Sequence, residues 1–125
     1  MPDCVENLQI WKDSMTIAKR VYGLTANFPS EELYGLRSQI RRAVVSIPAN
    51  LAEGLGRGTS REVARFARIS LGSLYETDTL LRIAAELDLL SSGAYEKLEA
   101  RISKLTRQVS RYIRYQEEKD KVKGS

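Results

Sequence analysis

Residues 34–58, YGLRSQIRRAVVSIPANLAEGLGRG, decide the fold. Within them Leu36, Ile40, Ala43, Ile47 and Leu51 recur at steps of four, three, four and four. That spacing puts all five on one face of an α-helix and makes the seam of a bundle. Pro48 falls inside the pattern. Its ring removes a backbone donor and presses on the carbonyl four residues back, that of Val44, at about 3 kcal/mol in a helix interior. The apolar period still runs on to Leu51, so the spacing predicts one continuous, kinked helix that stops in the glycines at 54, 56 and 58.

Upstream, Leu8 to about Phe28 carries two adjacent apolar stripes. Trp11, Met15, Ala18, Tyr22 and Thr25 form one; Ile10, Ile17, Leu24 and Phe28 form the other. Asn7 is a plausible cap for this helix, and Phe28-Pro29-Ser30 ends it. Ser30, Glu31 and Glu32 suit the start of the next helix. Downstream, Gly54-Leu55-Gly56-Arg57-Gly58 invites comparison with phosphate-cradling loops. Those follow a β-strand, whereas here a helix precedes, which favours a helix C-cap. Thr59 and Glu62 form a capping box, T-x-x-E, for a third helix. Its main stripe is Val63, Ala67, Ser70, Leu74, Leu81 and Ala85, with Phe66, Ile69, Leu80, Ile83 and Leu87 to one side. A turn over 88–92 follows, with Ser92 as cap, and Tyr95, Leu98, Ile102, Leu105, Val109 and Tyr112 give a fourth helix a heptad seam. Past Gln116 a charged tail is expected to fray.

Residues 1–125 therefore read as one domain with helices over about 8–28, 31–56, 60–87 and 92–117. Short turns favour antiparallel neighbours, and hence an all-α, up-down-up-down four-helix bundle. A hydrophobic content of 42% with 29% charged residues is that of a soluble globular protein. No apolar run approaches the ~20 residues of a membrane span, and the N-terminus lacks a signal-peptide core, so a cytoplasmic location is expected. The chain has one cysteine, Cys4, and no histidine. A disulfide framework is excluded, and the commonest general base and metal ligand is missing. Glu76 and Asp78, two apart, point in different directions on a helix and belong to no Glu-x-x-His motif. The reading is non-enzymatic, with no cofactor and no metal.

The net charge is only +4, so the distribution of cations matters more than their total. Arg61, Arg65 and Arg68 follow one another on the third helix. On the fourth, Lys97, Arg101, Lys104, Arg107, Arg111 and Arg114 face only Glu96 and Glu99 between residues 92 and 116. Such faces serve solubility, or they track a nucleic-acid backbone. Sparse aromatics argue against base stacking. Arg57 and Arg61 flank the third helix's N-terminus, where free N–H groups attract anions, although Arg57 can equally pair with Glu53. The candidate nucleic-acid-binding residues are Arg57, Arg61, Arg65, Arg68, Lys104, Arg107, Arg111 and Arg114. Arg37, Arg41 and Glu53 flank the central seam and suit polar contacts between helices or subunits. Apolar side chains left over once one bundle core is filled, namely Ile10, Ile17, Leu24, Ile69, Ile83 and Leu87, are expected between copies of the chain.

The central stretch, followed by FARISLGSLYETDTLL, resembles the four-helix-bundle proteins encoded in 23S rRNA intervening sequences. The upstream LQIWKDSMTIAKRVYGLTANFP matches that family's first helix, so the resemblance covers about residues 8–113, with SIPANLAEG its most specific part. It implies an antiparallel bundle that assembles into a ring-like homopentamer, and it brings no catalytic residues to transfer. Accessory proteins of diversity-generating retroelements share the bundle and use a basic surface toward nucleic acid and a reverse transcriptase. That likeness is of fold, and no residue is carried over from it. Two expectations follow: an oligomeric binder of RNA or DNA, or an oligomeric scaffold that recruits a protein, including a reverse-transcriptase accessory role.

Overall fold

Pro48 removes the donor that the Val44 carbonyl would otherwise have, yet the helix continues past it, with side-chain bonds on the neighbouring Ser46 and Ile47 carbonyls. In the computed structural model, which describes residues 5–32 and 35–124 with side chains as far as residue 122, α2 runs unbroken over Leu36–Arg57. Pro48 is buried against α3, Ser60–Glu86. There Ser70, fully buried, donates its hydroxyl to the Ile47 carbonyl at 2.8 Å. Ser73 donates to the Ser46 hydroxyl at 2.8 Å. The Asn50 amide donates to both the Ser46 carbonyl and its hydroxyl, at 2.8 and 2.9 Å. The S-I-P-A-N segment is thus tied to α3 by short polar side chains where an interior proline weakens helical bonding.

The glycine run splits into distinct jobs. Gly54 is buried where α2 and α3 come closest: a Cβ there would lie 3.1 Å from the Phe66 Cβ and 3.2 Å from the Val63 Cα. Gly58 ends α2 with φ +83°, in the left-handed region that favours glycine, and its N–H reaches the Leu55 carbonyl. The Thr59 hydroxyl then accepts from the Glu62 N–H at 3.2 Å and caps α3. A helix end, not a phosphate cradle, is what these glycines build.

The remaining boundaries depart from expectation by a turn or less at most ends. α1 spans Gln9–Thr25; Leu8 precedes it without a side-chain cap, and Asn7 belongs to a short 3-10 turn, Val5–Asn7. A second such turn, Ser30–Glu32, stands where the next helix was expected to begin. Glu32 accepts from the Leu36 N–H at 3.0 Å, capping α2 from a distance. The expected helical residues 33 and 34, like Cys4, lie outside the described residues. α3 closes with a six-residue C-terminal loop: the Leu89 N–H reaches the Ala84 carbonyl at 2.9 Å and Asp88 N–H that of Ala85. Asp88 occupies the left-handed position, at φ 61°, where glycine is usual. Ser91, not Ser92, caps α4 by accepting from the Ala94 N–H. α4 extends over Ser92–Gly124, well past the expected end; Gln116 is buried, Glu117 pairs with Arg68 of α3 at 2.7 Å, and Lys119 lies 5.3 Å from the Tyr115 ring centre.

Each helix packs on the next, most extensively α2 on α3, and α1 also meets α4, though with the smallest shared surface of these pairs. Val21, Ile40, Val44, Ile47, Leu74, Leu81, Leu105 and Val109 form the centre of the core. The expected seams of α2 and α4 hold. On α1, however, the inward face is the stripe of Ile10 and Ile17, which are 8% and 2% exposed and belong to the core of a single chain. They are therefore removed from the expected interface between copies. Of the stripe that holds Tyr22, Ala18 and Thr25 are buried too, while Tyr22 stays exposed, with Arg41 4.3 Å over its ring and bonded to its carbonyl. The described residues contain no strand, and none of their helices is long and apolar enough to cross a membrane.

Candidate nucleic-acid interface

Between Glu99 and Glu117, α4 carries five cations and no acid: Arg101, Lys104, Arg107, Arg111 and Arg114. All five are exposed. Lys104, Arg107, Arg111 and Arg114 succeed one another at steps of three, four and three, which sets them along one outward face. Arg107 bonds only the neutral Ser103 hydroxyl, at 2.9 Å. Among the described residues none of the five forms an ion pair with a carboxylate. This row keeps its charge toward solvent.

The cations near the start of α3 are arranged differently. Arg57 pairs with Glu53 at 3.0 Å and lies 5.0 Å from the Phe66 ring centre. Arg65 pairs with Glu62 at 2.8 Å and covers the same ring at 4.5 Å. The hydrogen bond from Arg65 holds the Glu62 carboxyl below its ordinary range, with the charges of Arg65, Arg57 and Arg61 acting the same way. Arg68 binds Glu117. Such exposed, solvent-screened pairs stabilise the fold little, but they cancel charge locally. Of the four cations proposed at this corner only Arg61 makes no ion pair among the described residues. Arg57 thus takes the Glu53 partner that competes with a phosphate seat beside Arg61, whereas the α4 row has no carboxylate partner among the described residues.

A feature that spacing along single helices did not reveal lies between α1 and α4. A cavity of about 590 Å³ is lined by Arg20, Gly23, Leu24, Ala94, Lys97, Leu98 and Arg101, with Ser91 and Gly93 at its end. A separate, smaller one, of about 110 Å³, lies beyond Arg101 between Asp13, Thr16, Ile17 and Lys104, Leu105, Gln108. Leu24, expected between copies, is half-buried in the larger one. Arg20 was not singled out in the sequence because it stands apart from the cations of α4; the Lys19-Arg20 doublet was the available signal.

Other polar groups serve the scaffold. Tyr95 donates its hydroxyl to Asp78 at 2.9 Å and accepts from Arg82 at 3.1 Å, joining α4 to α3. Burial pushes the Tyr95 hydroxyl above its ordinary value; the bond to Asp78 raises it further, and Arg82 opposes this. Arg41 donates to the Thr25 hydroxyl and the Tyr22 carbonyl, both at 3.0 Å, tying α2 to the last turn of α1. On the outer face of α3, Ile69, Ile83 and Leu87 are 43%, 40% and 59% exposed, so this side retains the expected free apolar row.

These features define an all-helical, four-helix-bundle protein whose surface chemistry is cationic on α4 and apolar on α3. The chain belongs to the 23S rRNA-intervening sequence protein family, whose sequence profile matches residues 6–111. It is similar in fold to the crystal structure, at 1.70 Å resolution, of a protein of unknown function from the S23 ribosomal protein family of Bacteroides thetaiotaomicron. The two share 20% identity with a TM-score of 0.74, over 83% of this chain and 97% of that one. No curated protein matches the chain in sequence.

Proposed function

We propose that the protein is a non-enzymatic, cytoplasmic homo-oligomer that binds the backbone of RNA or DNA through α4. The observation that carries this reading is the row Lys104, Arg107, Arg111 and Arg114, with no acid between Glu99 and Glu117 and no ion pair among the described residues. Cations fixed at helical spacing release counterions when they meet phosphates, and they do so with little regard to base sequence. In this reading the helices run up-down-up-down, and five copies close into a ring that repeats the α4 row, so that weak contacts add through multivalency. The apolar row of Ile69, Ile83 and Leu87 is the surface offered for that assembly.

The test is fluorescence anisotropy with a labelled single-stranded RNA of mixed sequence. Four phosphate contacts predict a loss of roughly 50-fold in affinity between 50 and 200 mM salt. Reversing Arg107, Arg111 and Arg114 to Glu should abolish binding while circular dichroism stays unchanged. A wild type that binds no RNA or DNA at low salt overturns the reading. That result favours the scaffold alternative, in which the α3 row assembles copies that recruit a protein. Ile83→Glu should reduce the mass seen by light scattering if that row is the interface.

A further inference from the structure

We infer that the groove between α1 and α4 docks an acidic amphipathic helix from a protein partner. Its floor is apolar, formed by Leu24, Ala94 and Leu98, and its rim carries Arg20, Lys97 and Arg101. These three cations are exposed and form no ion pair among the described residues. Along α4 the groove runs from Ser91 to Arg101, about 15 Å at ~1.5 Å per residue. That length suits about three turns of helix.

Two glycines point the same way. A Cβ placed on Gly23 of α1, or on Gly93 at the start of α4, would meet nothing within 4 Å. Neither glycine is required by packing inside the chain, unlike Gly54. Gly56 and Gly72 are equally open elsewhere on the surface; at Gly23 and Gly93 the missing side chains leave room in the groove. The occupant is selected by the pairing of an apolar floor with a cationic rim. Leucine-like side chains fill the floor, and flanking carboxylates meet Arg20, Lys97 and Arg101. A nucleic-acid backbone supplies the anions but nothing apolar for the floor, which in turn offers Leu24, Ala94 and Leu98 no means to hydrogen-bond or stack on a base. The rim residues Arg20, Lys97 and Arg101 are distinct from the row of Lys104, Arg107, Arg111 and Arg114, so different substitutions test the two readings, although Lys104 also lines the smaller pocket beyond Arg101.

Random 14-residue peptides displayed on phage, panned on the wild type and counter-selected on Gly23→Leu, test this. The expected pool is rich in Asp and Glu, with apolar residues every three or four positions. The best peptide, labelled and measured by anisotropy, should lose at least tenfold in affinity on Gly23→Leu and again on Arg101→Glu. RNA binding by Gly23→Leu should stay within twofold of wild type. Gly23→Leu places its side chain in open space and should keep its helical content; Arg101→Glu is a second, exposed substitution should it not. A pool without excess acid, or a peptide bound equally by both variants, overturns the inference. So does a Gly23→Leu protein that loses RNA, which would assign the groove to nucleic acid, or one that changes mass, which would assign it to a second copy.

Discussion

Replacing Gly54 by alanine should destabilise the bundle, whereas the same change at Gly23 should stabilise it. An added methyl at Gly54 lies 3.1 Å from the Phe66 Cβ, 3.2 Å from the Val63 Cα and 3.3 Å from the Val63 carbonyl oxygen. Two of those atoms are backbone and the Phe66 Cβ is fixed to it, so no side chain can swing aside; relief takes a shift of α3 away from α2 by a few tenths of an ångström. Overpacking of this kind costs about 1–3 kcal/mol, against which alanine recovers about 1 kcal/mol of helix propensity. A net loss of about 1 kcal/mol corresponds to about 4 °C in Tm for a chain of this size. At Gly23 nothing lies within 4 Å of the added methyl. Only the propensity gain remains there, about 0.5–1 kcal/mol in a terminal turn, or about 2–4 °C upward. Differential scanning calorimetry at one fixed protein concentration measures both, since assembly makes Tm concentration-dependent. A Gly54→Ala protein that melts at or above the wild type would refute the claim that close approach dictates this glycine.

Three further outcomes are expected. Asp88→Gly relieves a left-handed backbone at φ 61° and should raise stability by about 0.5–1 kcal/mol, read as an upward shift in Tm. Ser70→Ala removes the buried bond to the Ile47 carbonyl beside Pro48 and should cost about 1 kcal/mol in urea titration, with the slope unchanged. Tyr95 has a raised hydroxyl, so the unfolded chain gives up this proton first as the solution becomes alkaline. Its contribution is complete below the ordinary tyrosine value of about 10 and is lost as pH rises through the folded-state value. Tyr95→Phe should flatten the fall in Tm across that range.

Much of the scaffold was legible because it rests on local rules. The four- and three-residue steps of Ile40, Ala43, Ile47 and Leu51 became the buried face of α2, and Thr59 with Glu62 capped α3 as the pattern requires. The first helix was ambiguous because two adjacent stripes can each face inward. The buried face takes Ala18 and Thr25 from one stripe and Ile10 and Ile17 from the other, while Tyr22 stays outside with Arg41 over its ring, a contact from sixteen residues beyond Thr25. Cation spacing alone could not separate the row on α4 from the corner at α3, since both recur at helical steps. The difference lies in carboxylates brought near by turns and packing, above all Glu117 reaching Arg68. The α1–α4 groove joins Arg20 to Lys97 and Arg101 across most of the chain's length, a relation that helical periodicity does not encode.

The uneven sharing of surface among the helices also sets the order in which the molecule opens. α2 and α3, joined only through Gly58 and Thr59, hold the largest interface between elements nearest in sequence, so that hairpin can form early at little cost in loop closure. α1 meets α4 across the smallest surface of the packed pairs. Amide hydrogens of α1 should therefore exchange through partial opening, well before those of α2 and α3. Because α1 forms one wall of the groove, the same excursions alter its width. A ligand seated there would slow exchange in α1 specifically, leaving a protection footprint on the helix it closes.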